Sequence, residues 1–240
     1  MSTTTKERPM MFRPELVRAI LDGRKTQTRR PVTVRNSERQ ASPDAWPFDL
    51  ERAWKDTSFP ELGFGEYLHV PFRHPEEDWS QETSERWWCR WKPGDHIYVQ
   101  EGAIKIGHER TGRNGQYLWP KLSDTFTEED ARNWFDKSCL YTLDLQHDDP
   151  MYDEPHGTLN KMFMPRWASR ITLEITGVRV ERLNEISEAD AIAEGCQCAG
   201  VPASLTNRGA FAKLWESING PDSWAANPWV WVIEFKRKET

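Results

Sequence analysis

The sequence predicts an α+β chain: a small mixed β-barrel flanked by short helices, as a single domain over residues 1–240 with long loop insertions at about 36–85 and 105–160. Three observations point there. Apolar residues alternate with polar ones in several short runs, above all from Ile171 to Leu183. The helical patterns between them are short and unevenly spaced, which argues against a doubly wound parallel sheet. Two long stretches are irregular, and the first, over 36–66, loses periodicity and carries Ser-Pro, Trp-Pro and Phe-Pro breaks.

In chain order, Pro9–Phe12 suggests a first strand. A helix is expected over about 14–22, with Leu16/Ile20 and Val17/Leu21 at i,i+4, Pro14 in the first turn and Gly23 just past the end. A strand follows through Val34, then the first irregular region, with one strand at Tyr67–Phe72. Trp87–Trp91 and His96–Glu101 flank Pro93-Gly94-Asp95, which reads as a hairpin with a type II turn. In the second irregular region, Thr127-Glu-Glu-Asp130 resembles a capping box and predicts a helix over 127–135. Cys139–Leu145 suggests a strand. Ile171, Leu173 and Ile175, then Val178 and Val180 beyond Gly177, form a strand pair or bent strand. Ser187-Glu-Ala-Asp190 opens a helix over 188–194 that Gly195 closes. An amphipathic helix over 210–218 and an apolar strand over 229–235 complete the chain. No internal repeat is found.

Net charge of −6 argues against broad, sequence-independent nucleic-acid binding, which needs many phosphate contacts. It leaves room for a local basic groove, because Gly23–Arg35 carries five Lys or Arg and no acid. No run approaches the roughly 18 apolar residues of a membrane span. Met1–Lys6 is polar, so no signal peptide is expected, and a cytoplasmic location with reduced thiols is. Cys89, Cys139, Cys196 and Cys198 make no CxxC pair, so neither a metal nor another cofactor is expected. Thirteen Trp supply core area and loop anchors, with base stacking as a second use. The composition does not fix an oligomeric state.

The basic octet Gly23-Arg24-Lys25-Thr26-Gln27-Thr28-Arg29-Arg30 is the stretch richest in chemistry. Leaving a helix for a strand, it places Lys25 in the bend, Thr26, Thr28 and Arg30 on one face, and Gln27 and Arg29 on the other. Such a set meets a phosphate or a polarised carbonyl, or is simply a solvated basic edge. Glu194 falls in the last turn of its helix, where the dipole disfavours an anion. It is either solvated or held there for chemistry.

Four stretches in order, GRKTQTRR (23–30), KPGDHIYVQE (92–101), MPRWASRITLEITGVRVERLNEIS (164–187) with AIAEG (191–195), and LWESINGPDSWAANPWVWVIEFK (214–236), resemble the ASCH family. That family has the PUA-like β-barrel fold, and the likeness is greatest to its larger, Trp-rich phage and prophage members. It covers somewhat under half the chain and leaves both insertions outside. The resemblance implies an RNA-associated cleft. In some compact bacterial members it implies an amidohydrolase that removes the acetyl group from N4-acetylcytidine. Carried onto this sequence, the implied functional residues are Lys25, Thr28 and Glu194.

Amide hydrolysis needs a nucleophile, a proton acceptor and oxyanion stabilisation. Thr28 as nucleophile, Lys25 as its activator and Glu194 as general acid/base supply these. So does Glu194 as base for a direct water, with Thr28 and Lys25 holding the substrate. Arg24, Thr26, Arg29 and Arg30 are candidates for substrate binding. So are Glu101, which can accept from a cytosine amine, and Arg166 and Trp167, which can line a groove. The expected partner is a modified nucleoside or RNA, and no membrane. The competing function is a module that binds the same ligands without turnover.

Overall fold

The computed structural model describes residues 5–33, 51, 53–56, 67–72, 83–106, 118–141, 156–196 and 206–238. In chain order the elements are β1 (Glu7–Met11), α1 (Pro14–Leu21), β2 (Gln27–Pro31), β3 (Trp54–Asp56), β4 (Tyr67–Phe72), β5 (Thr83–Trp88), β6 (His96–Gln100), β7 (Ala103–Ile106), α2 (Glu128–Ser138), β8 (Cys139–Tyr141), β9 (His156–Leu159), β10 (Thr172–Arg182), α3 (Glu188–Ala193), α4 (Asn207–Asn219) and β11 (Trp229–Arg237). The class is α+β. Two compact units divide the chain: Met1–Gly23 with Asp95–Glu174 and Arg237–Thr240, and Arg24–Gly94 with Ile175–Lys236.

In the first unit, β1 runs parallel to β6, and Thr172–Glu174 of β10 pair antiparallel with β6. A second sheet, in the order β8-β7-β9, is antiparallel. The α1 helix buries Val17, Ala19 and Ile20, and ends at Gly23, whose φ of 73° is the left-handed conformation that favours glycine there. The α2 helix opens as its sequence predicts. The Thr127 hydroxyl accepts from Asp130 N–H while the Asp130 carboxylate accepts from Thr127 N–H. A cluster of Ala131, Phe135, Trp119, Trp167, Met164 and Leu159 forms its core.

In the second unit, β10, β11 and β2 lie side by side, with β11 antiparallel to β2. A separate antiparallel sheet has the order β3-β4-β5. The α3 helix is opened by a reciprocal Ser187–Asp190 capping box and followed by Gly195 at φ 89°. Phe211 and Trp215 of α4, Leu183, Ile186, Ala191, Val230 and Val232 make the core.

One expectation is corrected. The strand-turn-strand at 87–101 is no hairpin. Pro93-Gly94-Asp95 does turn the chain, with Gly94 at φ 87°. But β5 pairs with β4, and β6 pairs with β1 and β10. Turn chemistry fixes a bend but not the strand's partner. Of the strand pair or bent strand expected around Gly177, the single strand is found, since β10 is continuous for 11 residues. Among the described residues no pairing closes either unit's main sheet into a barrel. The β3 and β9 strands lie in stretches expected to be loop, and β7 was not expected, because all three are short strands in or beside aperiodic stretches. The expected strand at 139–145 is seen as β8 over Cys139–Tyr141, and its remainder lies outside the described residues.

Candidate functional site: a buried ion cluster around Lys25 and Glu194

Lys25 sits between Gly23 and β2, where its backbone forms an isolated antiparallel bridge with Glu194. Thr26 N–H donates to Ala193 O and Phe235 N–H donates to Thr26 O, both at 2.8 Å, so the main chain fixes the bend on both sides. The Lys25 side chain is 1% exposed. Its ammonium donates to Gln27 O, Glu194 O and Glu194 Oε2, each at 2.8 Å. An ammonium has three N–H groups, so the set is complete. Burial holds the lysine's pKa below its ordinary value, and the charge and hydrogen bond of Glu194 offset only part of that.

Glu194 caps the C-terminus of α3, donating its N–H to Asp190 O at 2.8 Å. The helix dipole opposes an anion there, and two cations offset it. Lys25 holds Oε2, and Arg29 Nη1 holds Oε1 at 3.1 Å. Arg29, whose side chain is wholly buried, also donates from Nε and Nη2 to Glu181 Oε1 at 3.0 and 2.5 Å. It lies 3.6 Å from Asp190 and 5.8 Å from the centre of the Phe211 ring. Arg179 extends the cluster, donating to Glu181 Oε2 at 3.2 Å and Asp190 Oδ1 at 2.8 Å and pairing with Glu234. Gln27 Nε2 donates to Asp190 O and Oδ1 at 3.1 and 3.0 Å. Partial burial would raise the Asp190 pKa. Hydrogen bonds from Ser187 and Gln27, with the charge of Arg29, instead pull it down to about 2.

Strand alternation explains who takes part. Gln27 and Arg29 share the β2 face that meets α3 and β10, and Thr28 turns to the other. Thr28 is 5% exposed, and its backbone pairs with Ile233. No hydrogen bond joins its hydroxyl to Lys25 or Glu194. Thr26 is exposed, and Arg24 and Arg30 are half-buried. Burial lowers the pKa of Arg30, and the charge of Glu194 opposes that.

The remaining candidates belong to the first unit. Glu101, 2% exposed, is held by Arg170 through two hydrogen bonds of 3.0 Å, and Arg170 lies 4.1 Å from the centre of the Tyr141 ring. Arg166 donates to Glu7, Ser169 O and Thr172. Trp167 is a core residue, edge-on to Trp119 at 6.0 Å between ring centres.

Sequence reasoning did not single out Glu181, Arg179 or Glu234, and read Asp190 only as a cap. The available signal was opposite charge at i,i+2 on β10, Arg179 and Glu181, on either side of the buried Val180. Cys89, Cys139 and Cys196 are buried thiols, and Cys198 lies outside the described residues. Among the described residues, no group of three or more His, Cys, Asp or Glu is arranged to hold a metal ion. No helix among them is long and apolar enough to cross a membrane.

What fold and site define is an α+β protein whose second unit buries a Lys–Glu–Arg ion cluster at a strand entry. No family model, no curated protein and no solved structure matches the chain.

Proposed function

We propose that the second unit is an amidohydrolase site for an N4-acylated cytidine or a similar modified nucleoside, on a PUA-like fold of the ASCH kind. One observation carries the reading. Lys25 and Glu194, 169 residues apart and paired beforehand only by resemblance, meet at 2.8 Å with side chains 1% and 4% exposed. Such a buried, oppositely charged pair is more typical of a functional site than of a surface.

Of the two mechanisms, direct attack by water fits better. Lys25 has three acceptors for three protons and acts as a cation, not as a base for Thr28. The Glu194 carboxylate accepts one protein hydrogen bond on each oxygen, leaving lone pairs for a water. Glu194 takes the water's proton as the oxygen adds to the acyl carbon. Lys25 exchanges one internal acceptor for the developing oxyanion, and Thr28, on the other face of β2, takes no step. The C–N bond then breaks, the proton passes from Glu194 to the leaving exocyclic amine, and cytidine and a carboxylic acid are released.

A binding module without turnover is the second reading. It is favoured by the completeness of the Lys25 hydrogen bonds, which a purely structural pair would also show. Incubation with N4-acetylcytidine, followed by chromatography, separates the two. Cytidine release that disappears in Glu194→Gln and Lys25→Ala supports the hydrolase. No release from folded protein, with binding that weakens steeply as salt rises, establishes a polymer-binding module instead.

A further inference from the structure

Lys25 pins only one oxygen of Glu194. A carboxylate held at one oxygen still rotates about its terminal bond, and a general base must present a lone pair at a fixed angle to water. The second anchor is Arg29 Nη1 on Oε1. Arg29 is unsuited to touching a ligand, because its side chain has no exposed surface and its fork is directed at Glu181, Asp190 and Glu194. Its own orientation is over-determined. Nε and Nη2 converge on a single oxygen of Glu181, whose other oxygen is held by Arg179, and the Phe211 ring lies 5.8 Å from the guanidinium carbon. A planar, wholly buried guanidinium fixed from β10, α3 and α4 defines a plane, as a lysine could not.

We infer that Arg29, itself fixed by Glu181, is the positioning residue of this site: it sets the plane of the Glu194 carboxylate against Lys25 without touching substrate. The inference rests on the amidohydrolase reading for its kinetic consequence but not for its geometry.

The test uses the full-length chain with Arg29→Gln, Arg29→Lys and Glu181→Gln, each measured for turnover of N4-acetylcytidine and each crystallised. Arg29→Gln is expected to lower kcat about 100-fold and to change KM less than about threefold, the signature of a misplaced reacting group. Glu181→Gln, which keeps Arg29 and an acceptor oxygen, is expected to lower kcat about tenfold. Arg29→Lys should regain part of the loss, whereas a merely structural role would lower the folded fraction and leave kcat per folded molecule unchanged. In the crystals, the Glu194 carboxylate of Arg29→Gln should be turned by more than about 30° from its wild-type plane. If Arg29→Gln does not fold, Glu181→Gln decides by the same measurements. Wild-type kcat retained within about threefold by the folded variant overturns the inference. If the wild type shows no turnover, the amidohydrolase reading falls alone and the crystals decide. A Glu194 carboxylate unmoved from its 2.8 Å contact with Lys25 overturns the positioning role, and a rotated one upholds it.

Discussion

Replacing Lys25 with Met keeps most of the side chain's volume and removes its charge and three donors. The Lys25 and Glu194 side chains are 1% and 4% exposed, so solvent screens their interaction little. Breaking a buried pair from one side costs about 3–5 kcal/mol. Arg29, still 3.1 Å from Glu194 Oε1, pulls the figure toward the lower end. The carbonyls of Gln27 and Glu194, which lose a donor, pull it back. We therefore expect a loss of about 4 kcal/mol. At about 2–4 °C per kcal/mol for a chain of this size, the melting temperature falls by about 8–16 °C. Urea titration followed by far-ultraviolet circular dichroism measures it, with the slope against denaturant unchanged. Combining Lys25→Met with Glu194→Gln should cost about 2 kcal/mol less than the sum of the single changes. A single-variant loss below about 1 kcal/mol at constant slope would mean the pair behaves like a solvated surface bridge, and would refute the reasoning.

Asp190 contributes to acid stability. Its pKa is depressed from 3.8 to about 2, so its contribution is present above the unfolded value and is lost as pH falls through the folded one. Asp190→Asn should flatten the decline of the urea midpoint between about pH 5 and about pH 2, and parallel declines in both proteins would sink this account. A Cβ at Gly177 would lie 2.7 Å from Glu234 Oε2. Gly177→Ala should therefore displace the half-exposed Glu234 from Arg179, visible in a crystal structure. The net cost should stay under about 1.5 kcal/mol, because alanine also favours the strand. Thr127→Ala removes the reciprocal cap of α2 and should cost about 1 kcal/mol, with faster hydrogen exchange concentrated at Glu128–Ala131.

Local chemistry was legible and pairing was not. Both capping boxes, Thr127–Asp130 and Ser187–Asp190, open the helices the sequence places there, because a cap is made by residues three apart. The β4 strand at Tyr67–Phe72 appears where alternation puts it. The 87–101 hairpin failed because Trp87 and His96 find partners from distant stretches, a choice set by packing. At the site, period-two alternation already separated Gln27 and Arg29 from Thr28. The helix dipole marked Glu194 as an acid in need of compensation. Which cations supply it depends on β2 meeting α3 and β10, and no local pattern encodes that meeting.

The contact between Lys25 and Glu194 spans 169 residues of chain. At the roughly 5–20 residues per second of protein synthesis, the lysine emerges about 10–30 s before its carboxylate. Until then the amine lacks both of its Glu194 acceptors, and β2 lacks its pairing strand β11. The main-chain bridge at the same two residues has the same delay. A nascent chain or fragment that stops short of α3 therefore carries Lys25 and Arg29 without the carboxylate they share. Completion of the chain leaves Lys25, Gln27, Thr28 and Arg29 buried, while Arg24, Thr26 and Arg30 keep a share of the surface.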